Sequence, residues 1–359
     1  MNACTLIVDG NWFLISRAMV RIKEFDATLD ESSLTAAQNR LYSGMVQSLM
    51  GIMSKFTMVD NVMIVSDDKS WRKSIIKPGF MEWSYKGNRD TNAEVRWDLI
   101  FDTLKQLMNK CDDLGITTCK FKGAEGDDDI MYASHWLNSK GVNTIIWSTD
   151  ADLQQLLSDT KACTVIYNGK SIVIHENMKP KELNDTDFLE SMFTISPAQN
   201  LIRQLESMNF EFTFVNPESV TMQKIICGDV SDNIKAIIQV MDEKTGRMYS
   251  VTPKMLNTIL EDRKIKTLVE FFDNRDVIIA ELLKLKRFKG QIRSFDEIIA
   301  IFEYNKKIVW LNLQNLPKDV YEGLQEMPSQ YILPANVREL ISGLEATESP
   351  VIDILEDIF

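Results

Sequence analysis

Acidic side chains fall in this sequence where a hydrolytic metal site could be assembled. Asp9 directly follows a short apolar run, Thr5 to Val8; Asp67 and Asp68 follow Asn61 to Ser66; Asp150 and Asp152 follow Asn143 to Ser148. A fourth group, Glu125, Asp127, Asp128 and Asp129, comes just after Ile116 to Phe121 and opens a helical pattern through Leu137. One or two acids there would be explained as a capped helix start, because the macrodipole favours negative charge at that end. Four within five residues go beyond capping, since like charges so close repel unless a cation lies among them. Many carboxylates and only two histidines suit hard, oxygen-preferring ions such as Mg²⁺ or Mn²⁺ rather than zinc. Two such ions roughly 4 Å apart can activate water and stabilise the leaving oxygen of a phosphodiester. His135 and His175 have no Ser or Cys partner pattern and read as structural.

The elements that must position these acids read as an α/β fold. Runs rich in Val and Ile, namely Thr5 to Val8, Asn61 to Ser66, Ile116 to Phe121, Asn143 to Ser148 and Thr164 to Tyr167, alternate with helical patterns. That is the signature of parallel strands joined by crossover helices. Such strands end on one edge, where open sheets place their sites. Thr164 to Tyr167 is expected to pair with Ser171 to His175 through the turn Asn168-Gly169. Leu34 to Phe56 carries Leu41, Met45, Leu49, Ile52, Met53 and Phe56 at helical spacing and should face the core. From about Pro180 the pattern is helical, with no convincing strand, and a second region is expected to begin near Asn216. In that region a helix should end at Gly228, followed by Asp229 and Asp232, the latter readable as a helix N-cap.

Bulk properties bound the reading. A chain of 359 residues, 45% hydrophobic and 26% charged, is long enough for a large domain and a smaller one. Cys4, Cys111, Cys119, Cys163 and Cys227 show neither a disulfide framework nor zinc-ligand spacing, and read as buried small hydrophobes in a reducing cytoplasm. No leader or membrane span is evident, so a cytoplasmic protein without membrane partners is expected. The net charge of −12 argues against nucleic acid only if it is spread evenly. Between Lys69 and Arg96 the balance turns basic, with Arg72, Lys73, Lys77, Lys86 and Arg89.

The segments GAEGDDDI, STDADLQQLL and GDVSDNI, with VDGNW before them and VSDDKSWRKS and YKGNR between, resemble in order the motifs of the flap endonuclease and 5′-3′ exonuclease family. The resemblance covers about the first 235 residues. It implies a mainly parallel sheet flanked by helices, a PIN-like nuclease core over 1–215, and a smaller all-helical domain over 216–345 with a duplex-gripping module. It also implies a metal-dependent 5′-nuclease acting on DNA or RNA-DNA duplexes. Asp9, Asp67, Glu125, Asp127 and Asp128 match the acids of the first ion; Asp150, Asp152, Asp229 and Asp232 match those nearer the second. Asp68 and Asp129 match no family acid. Arg72, Lys73, Lys86 and Arg89 match residues that steer the scissile phosphate, and a segment within about 69–110, chiefly Asp90 to Lys110 with Trp97 and Phe101, matches an arch over the site. Two Mg²⁺ ions, replaceable by Mn²⁺, are implied.

The sequence departs from the family after Ile234, where KAIIQVMDEKTGRMYSVTPKML stands in place of a glycine-rich turn, so the family's monovalent-cation site is not carried over. Duplex contacts then shift to Lys235, Lys244, Arg247 and Lys254. That stretch and FEYNKKIVWLNLQNLPKDV resemble the primer-removing ribonuclease H nucleases of T-even phages, which implies phage DNA replication in a host cytoplasm. The acidic tail over 346–359, with apolar Ile354, Leu355, Ile358 and Phe359, suits insertion into a partner groove. A sliding clamp held through Val351 to Phe359 and a single-stranded DNA-binding protein are the partners expected. Two rivals are a PIN-type ribonuclease, which would lack the duplex-gripping module, and an inactive DNA-binding replication factor, which would have lost acids.

Overall fold

The computed structural model describes residues 4–87, 93–179, 196–242 and 245–331. Arg89, Asp90, Lys244 and the tail from 351 to 359 therefore lie outside the described residues. The chain divides into two compact units, one of residues 1–69, 91–214 and 317–359, the other of 70–90 and 215–316. No described helix is long and apolar enough to cross a membrane.

The first unit is built on a seven-stranded sheet in the order β3-β2-β1-β4-β5-β6-β7. Its strands are β1 Cys4–Asp9, β2 Asn61–Val65, β3 Thr117–Cys119, β4 Asn143–Trp147, β5 Thr164–Tyr167, β6 Ser171–His175 and β7 Glu211–Val215. The pairs β1-β2, β1-β4, β2-β3 and β4-β5 are parallel, and β5-β6 is the expected antiparallel hairpin, with Gly169 at φ 93° in its turn. Register sets the site: Asp9 lies level with Val65, Val65 with Cys119, and Val8 with Trp147. The segments after β1, β2, β3 and β4 therefore leave one edge together. Strand order reverses at β1/β4, the place where such sheets open a crevice.

Helices α1 Gly10–Ala18, α2 Glu31–Lys55 and α3 Trp97–Asp113 share a core with Leu6, Val8, Val62 and Ile64. The expected apolar stripe of α2 is buried as read, from Leu41 to Met53. Ile7 alternates to the opposite face of the strand, and α4 Gly126–Ser139 packs across β1, β2 and β4. Gly10 meets a close approach: a Cβ there would lie 2.4 Å from the Val65 carbonyl oxygen.

Several expectations need correction. The region after 180 is not helical alone. β7 is a strand because Phe210, Phe212 and Phe214 alternate, and Phe210 stacks on Phe56 at 5.2 Å beside Tyr167. In the second unit β8 Gln239–Met241 and β9 Met248–Ser250 form an antiparallel hairpin closed near Gly246, whose φ is 65°. These strands of three residues are too short to show a period. The second unit is thus not all-helical, although helices build its core, among them α6 Pro217–Cys227, α7 Pro253–Arg263, α8 Leu268–Asp273, α9 Arg275–Lys284 and α10 Phe295–Val309, following α5 Pro197–Ser207 of the first unit.

The boundaries differ too. Segment 70–90 joins the second unit because Lys86 N donates to Asp232 O at 2.8 Å and Asn233 Nδ2 to Ser84 O at 3.0 Å. Residues from Pro317 return to the first unit, where Tyr321 meets Tyr132, and Tyr331 meets Trp136 and hydrogen-bonds Thr5 at 2.8 Å. The arch expectation fails for Trp97 to Lys110: α3 buries Ile100, Leu104, Leu107 and Met108 in the first unit's core.

Gly10→Ala should destabilise the protein by about 1–3 kcal/mol, because the new methyl must displace the β2 main chain rather than a flexible side chain. Urea unfolding would check this; an unchanged midpoint would show that the approach of α1 to β2 is loose.

Candidate metal centre

Each acid of the sheet edge is held by donors that its own element supplies. Asp9 closes β1 and caps α1, its Oδ1 accepting from Trp12 N at 3.0 Å. Its Oδ2 accepts from Ser148 Oγ at 2.8 Å, and that oxygen accepts from Asp150 N at 3.0 Å. Ser148 thereby ties the end of β1 to the turn after β4. Asp67 accepts from Asn11 Nδ2 at 2.7 Å and from Gly126 N at 2.6 Å, which binds the end of β2 to the starts of α1 and α4. The amide of Asn11 faces both ways, its Oδ1 accepting from Ser66 Oγ and from Asp67 N. Asp150 caps the 3₁₀ turn Ala151–Leu156 by accepting from Asp152 N at 2.8 Å.

The acids crowd one another. Burial pushes the Asp9 carboxyl up to about 6, against the bonds from Trp12 and Ser148, with Asp67 and Asp150 adding to the rise. Asp127, half-buried on α4, is raised well above the ordinary carboxylate value by burial and then by Asp150, Asp152, Asp9 and Glu125. Asp127 is the focus of charges arriving from the ends of β1 and β4 and from the start of α4. Among the described residues no three acidic, histidine or cysteine side chains already stand in coordinating geometry. Asp9 and Asp67 each accept two hydrogen bonds from protein donors.

The acids after β3 divide into different tasks. Glu125 and Asp128 form a reciprocal capping box at the start of α4, with Glu125 N donating to Asp128 Oδ2 at 3.1 Å. Asp128 has no exposed surface, so the capping interpretation holds for it. Asp68 is not a solvated neighbour: it accepts from Gly123 N at 2.9 Å, and this bond holds its carboxyl below the ordinary range. It clamps the β3-α4 loop to the end of β2. Asp129 is buried too, 0% exposed with neither oxygen hydrogen-bonded among the described residues. Burial, then the Asp128 charge, raises it well above the ordinary value. Burial thus favours the neutral form of this carboxyl over the charged one.

Asp229 and Asp232 belong to the second unit. Burial works to raise Asp229, but bonds from Lys224 and Ser231 hold it below the ordinary value. Gly228, at φ 77°, ends α6, and Asp229 and Ile234 exchange main-chain hydrogen bonds across the turn that follows. No helix starts at Asp232, so it is not an N-cap. Lys73 is exposed, and Lys86, at φ 51°, carries its ammonium over the Tyr85 ring. Arg72 is only 3% exposed, donates to Ile308 O at 2.9 Å and lies over Trp71. Such a guanidinium is a packing strut, which corrects its expected role in phosphate steering. Four cysteines are buried and Cys227 half-buried; burial pushes Cys111 and Cys163 up to about 12. They are inert thiols.

Beside Asp67 opens a cleft of about 680 Å³ between α3 and the β3 edge. Its walls include Asn11, Phe101, Lys105, Asn109 and Lys120. Asp98, Asp102 and Asp112 in the same walls accept hydrogen bonds from Arg96, Gln106 and Thr118. Lys105 and Lys120 form no hydrogen bond or ion pair among the described residues, and Phe101 is 46% exposed. Sequence reasoning named the acids but not Asn11, Ser148 or these lysines. Asn11 and Ser148 could have been noticed, because each stands within two residues of an edge acid.

Residues 4–189 match the family described as 5′-3′ exonuclease, N-terminal resolvase-like domain. The chain is 27% identical over 156 residues to a 5′-3′ exonuclease of Buchnera aphidicola subsp. Schizaphis graminum, a match spanning 43% of this chain and 48% of that relative. To a 5′-3′ exonuclease of Mycoplasmopsis pulmonis it is 24% identical over 282 residues, 76% of this chain and 77% of the other. Among solved structures, the T5 5′-exonuclease with bound divalent zinc ions aligns at TM-score 0.54 and 17% identity, covering 92% of this chain and all of that one. A complex of the bacteriophage T5 flap endonuclease with DNA and metal ions aligns at 0.54 and 17%, covering 91% and 98%. At this identity the likeness establishes the fold.

The raised acids give a pH signature. Between the ordinary 3.8 and about 6 the folded chain keeps a proton on Asp9 that the unfolded chain has released, so this group's contribution to stability falls as pH rises through that window. A divalent cation would replace such protons and relieve the repulsion. The gain in Tm from millimolar Mg²⁺ over chelator should therefore grow from pH 5 to pH 7.5. A gain that is constant or shrinks over that range would contradict cation binding at these acids.

Proposed function

The chain belongs to the 5′-3′ exonuclease family, and from that membership we propose that it hydrolyses phosphodiester bonds in DNA or RNA-DNA duplexes from the 5′ side, using divalent cations held at the acidic sheet edge. The observation that carries this reading is the convergence on Asp127 of Asp9, Glu125, Asp150 and Asp152, with Asp67 fixed between the starts of α1 and α4. Acidic oxygens alone make up this donor set, and such a set fits Mg²⁺ or Mn²⁺, with Mg²⁺ the proposed ion. Bound there, divalent ions make water more acidic and neutralise charge on phosphoryl oxygens.

The chain's own residues supply the positioning. Asn11 and Gly126 N keep Asp67 aimed, and Ser148 keeps Asp9 beside the turn that carries Asp150. Lys105 and Lys120 offer positive charge to a strand phosphate in the cleft beside Asp67, and Phe101 offers a face on which a base can stack. Asp128 is left out of the ligand set because it caps α4. Lys73, Lys86 and Arg89 remain proposed phosphate contacts. Removal of RNA primers or 5′ flaps in phage replication, with a clamp held through the 351–359 tail and a single-stranded DNA-binding protein nearby, is the setting this reading suggests.

Cleavage of 5′-labelled flap, nicked and RNA-primed duplexes, in Mg²⁺ and in chelator, tests it. Wild type should cut only with the cation, Asp127→Ala and Asp150→Ala should lose nearly all activity, and Asn11→Ala should lower cation affinity about 10- to 100-fold. The proposal fails if every substrate survives in Mg²⁺ or if the two aspartate variants cut like wild type.

A further inference from the structure

We infer that Arg17 is a positioning residue of the acidic edge: stacked among Trp12, Phe13 and Trp147, it fixes the two segments that donate to Asp9. The consequence for cation binding rests on the reading proposed above, while Arg17 and the rings it touches lie outside the ligand set. Arg17 stands in the last turn of α1 and is half-buried. A cation in a last helical turn is ordinarily explained by the macrodipole, with its head in water. Here the head is turned onto rings instead. The guanidinium carbon lies 4.8 Å from the ring centroid of Phe13, 5.3 Å from that of Trp147 and 5.9 Å from that of Trp12. Nη1 donates to Ser16 Oγ at 2.7 Å, and Nε to Ser48 Oγ of α2 at 3.4 Å. No acid pairs with Arg17 among the described residues, and burial lowers its pKa.

The rings under the guanidinium belong to the segments that hold Asp9. Trp12 N donates to Asp9 Oδ1 at 3.0 Å, and Ser148, the residue after Trp147, donates through Oγ to Asp9 Oδ2 at 2.8 Å. Asp150 N reaches the same Ser148 Oγ at 3.0 Å. The two indoles also meet edge to face, with 5.9 Å between centroids and 69° between planes, and Phe13 lies 5.0 Å from Trp147. Both hydrogen bonds to Asp9 therefore come from segments whose side chains Arg17 clamps together, one at the start of α1 and the other at the end of β4. A shift of either indole would move its donor against the carboxylate.

Packing alone does not call for an arginine at this place. Phe13, Leu14 and Ala18 already bury the inner face of α1, so the helix keeps its seat on the sheet without a cation. What a guanidinium adds is orientation. It is flat, weakly hydrated and permanently charged, so it can lie on several aromatic faces at once, where an aliphatic side chain would fill the volume without choosing a ring angle. Its hydroxyl partners are anchored in turn, Ser16 Oγ donating to Phe13 O and Ser48 Oγ to Gly44 O. The head of Arg17 is thus tied to both helices behind Asp9, an outer contact of the kind that keeps a cation's ligands in geometry.

The test uses the full-length protein and two readouts, hydrogen exchange by mass spectrometry in chelator and calorimetric titration with MgCl₂ at pH 7.5. In Arg17→Met, peptides covering 10–15 and 147–152 should exchange several-fold faster than in wild type while those of β2 and α4 stay unchanged, and Mg²⁺ should bind about tenfold more weakly. Arg17→Lys should recover part of both, because an ammonium is drawn to the rings but does not lie flat on them. Leu201→Ala is the control: it opens the core in α5, which meets β4 at its other end through Asn143 Nδ2 and Pro197 O, and it should bind Mg²⁺ like wild type whatever its loss of Tm. Wild-type exchange at both segments in Arg17→Met would overturn the inference. A rise shared by the whole sheet, or a fall in Mg²⁺ affinity that Leu201→Ala reproduces, would overturn it too, since either marks a loss of packing alone. If wild type takes up no Mg²⁺, the cation-binding reading falls instead, and the exchange pattern still decides the role of Arg17.

Discussion

Repulsion among carboxylates is the constraint on which the first unit depends. Asp9, Glu125, Asp150 and Asp152 all act on Asp127, and burial removes the water that would screen them. A fold can tolerate such a group only by giving each acid a fixed donor or a proton. Both are present. Asp9 has Trp12 N and Ser148 Oγ, Asp67 has Asn11 Nδ2 and Gly126 N, and Asp127 is pushed toward its neutral form. These bonds set where the carboxylates stand before any cation arrives, so a cation would meet ligands that are already oriented.

Strand register is what allows separate segments to meet at that spot. Asp9, Val65 and Cys119 are level across β1, β2 and β3, so Asp67 and Lys120 emerge side by side from neighbouring strands. α1 must begin immediately at Gly10 for Asn11 to reach Asp67, and the near approach of Gly10 to Val65 O leaves no room for a side chain. Asp68 then fastens the β3-α4 loop through Gly123 N, placing Gly126 N under Asp67. The edge is therefore one interlocked set of main-chain and side-chain bonds, and a change at Asn11 or Ser148 reaches the acids without touching them directly.

Much of this was legible in the sequence because parallel strands announce themselves. Val- and Ile-rich runs of four to six residues ending in Asp marked β1, β2 and β4 closely, and Asn168-Gly169 marked the hairpin. What stayed hidden has physical causes. β8 and β9 have three residues each, too few for any period, and the Phe alternation of β7 sits beside the helix α5. The placement of 70–90 in the second unit depends on main-chain bonds from Lys86 and to Ser84, which leave no pattern in residue types. Arg72 reads as a phosphate ligand in a basic run, and only its burial against Trp71 and Ile308 reveals a strut. Asp128 and Asp129 look alike in sequence, yet one caps a helix and the other is buried without a partner.

The two units separate charge by sign of purpose. In the first, acids are gathered at a strand edge where protons or cations must compensate them; in the second, Lys284, Lys286, Arg287, Lys289 and Arg293 fall within the ten positions 284–293. A net charge of −12 is the sum of these arrangements and describes neither. The acidic edge would repel a phosphodiester at close range unless cations occupied it.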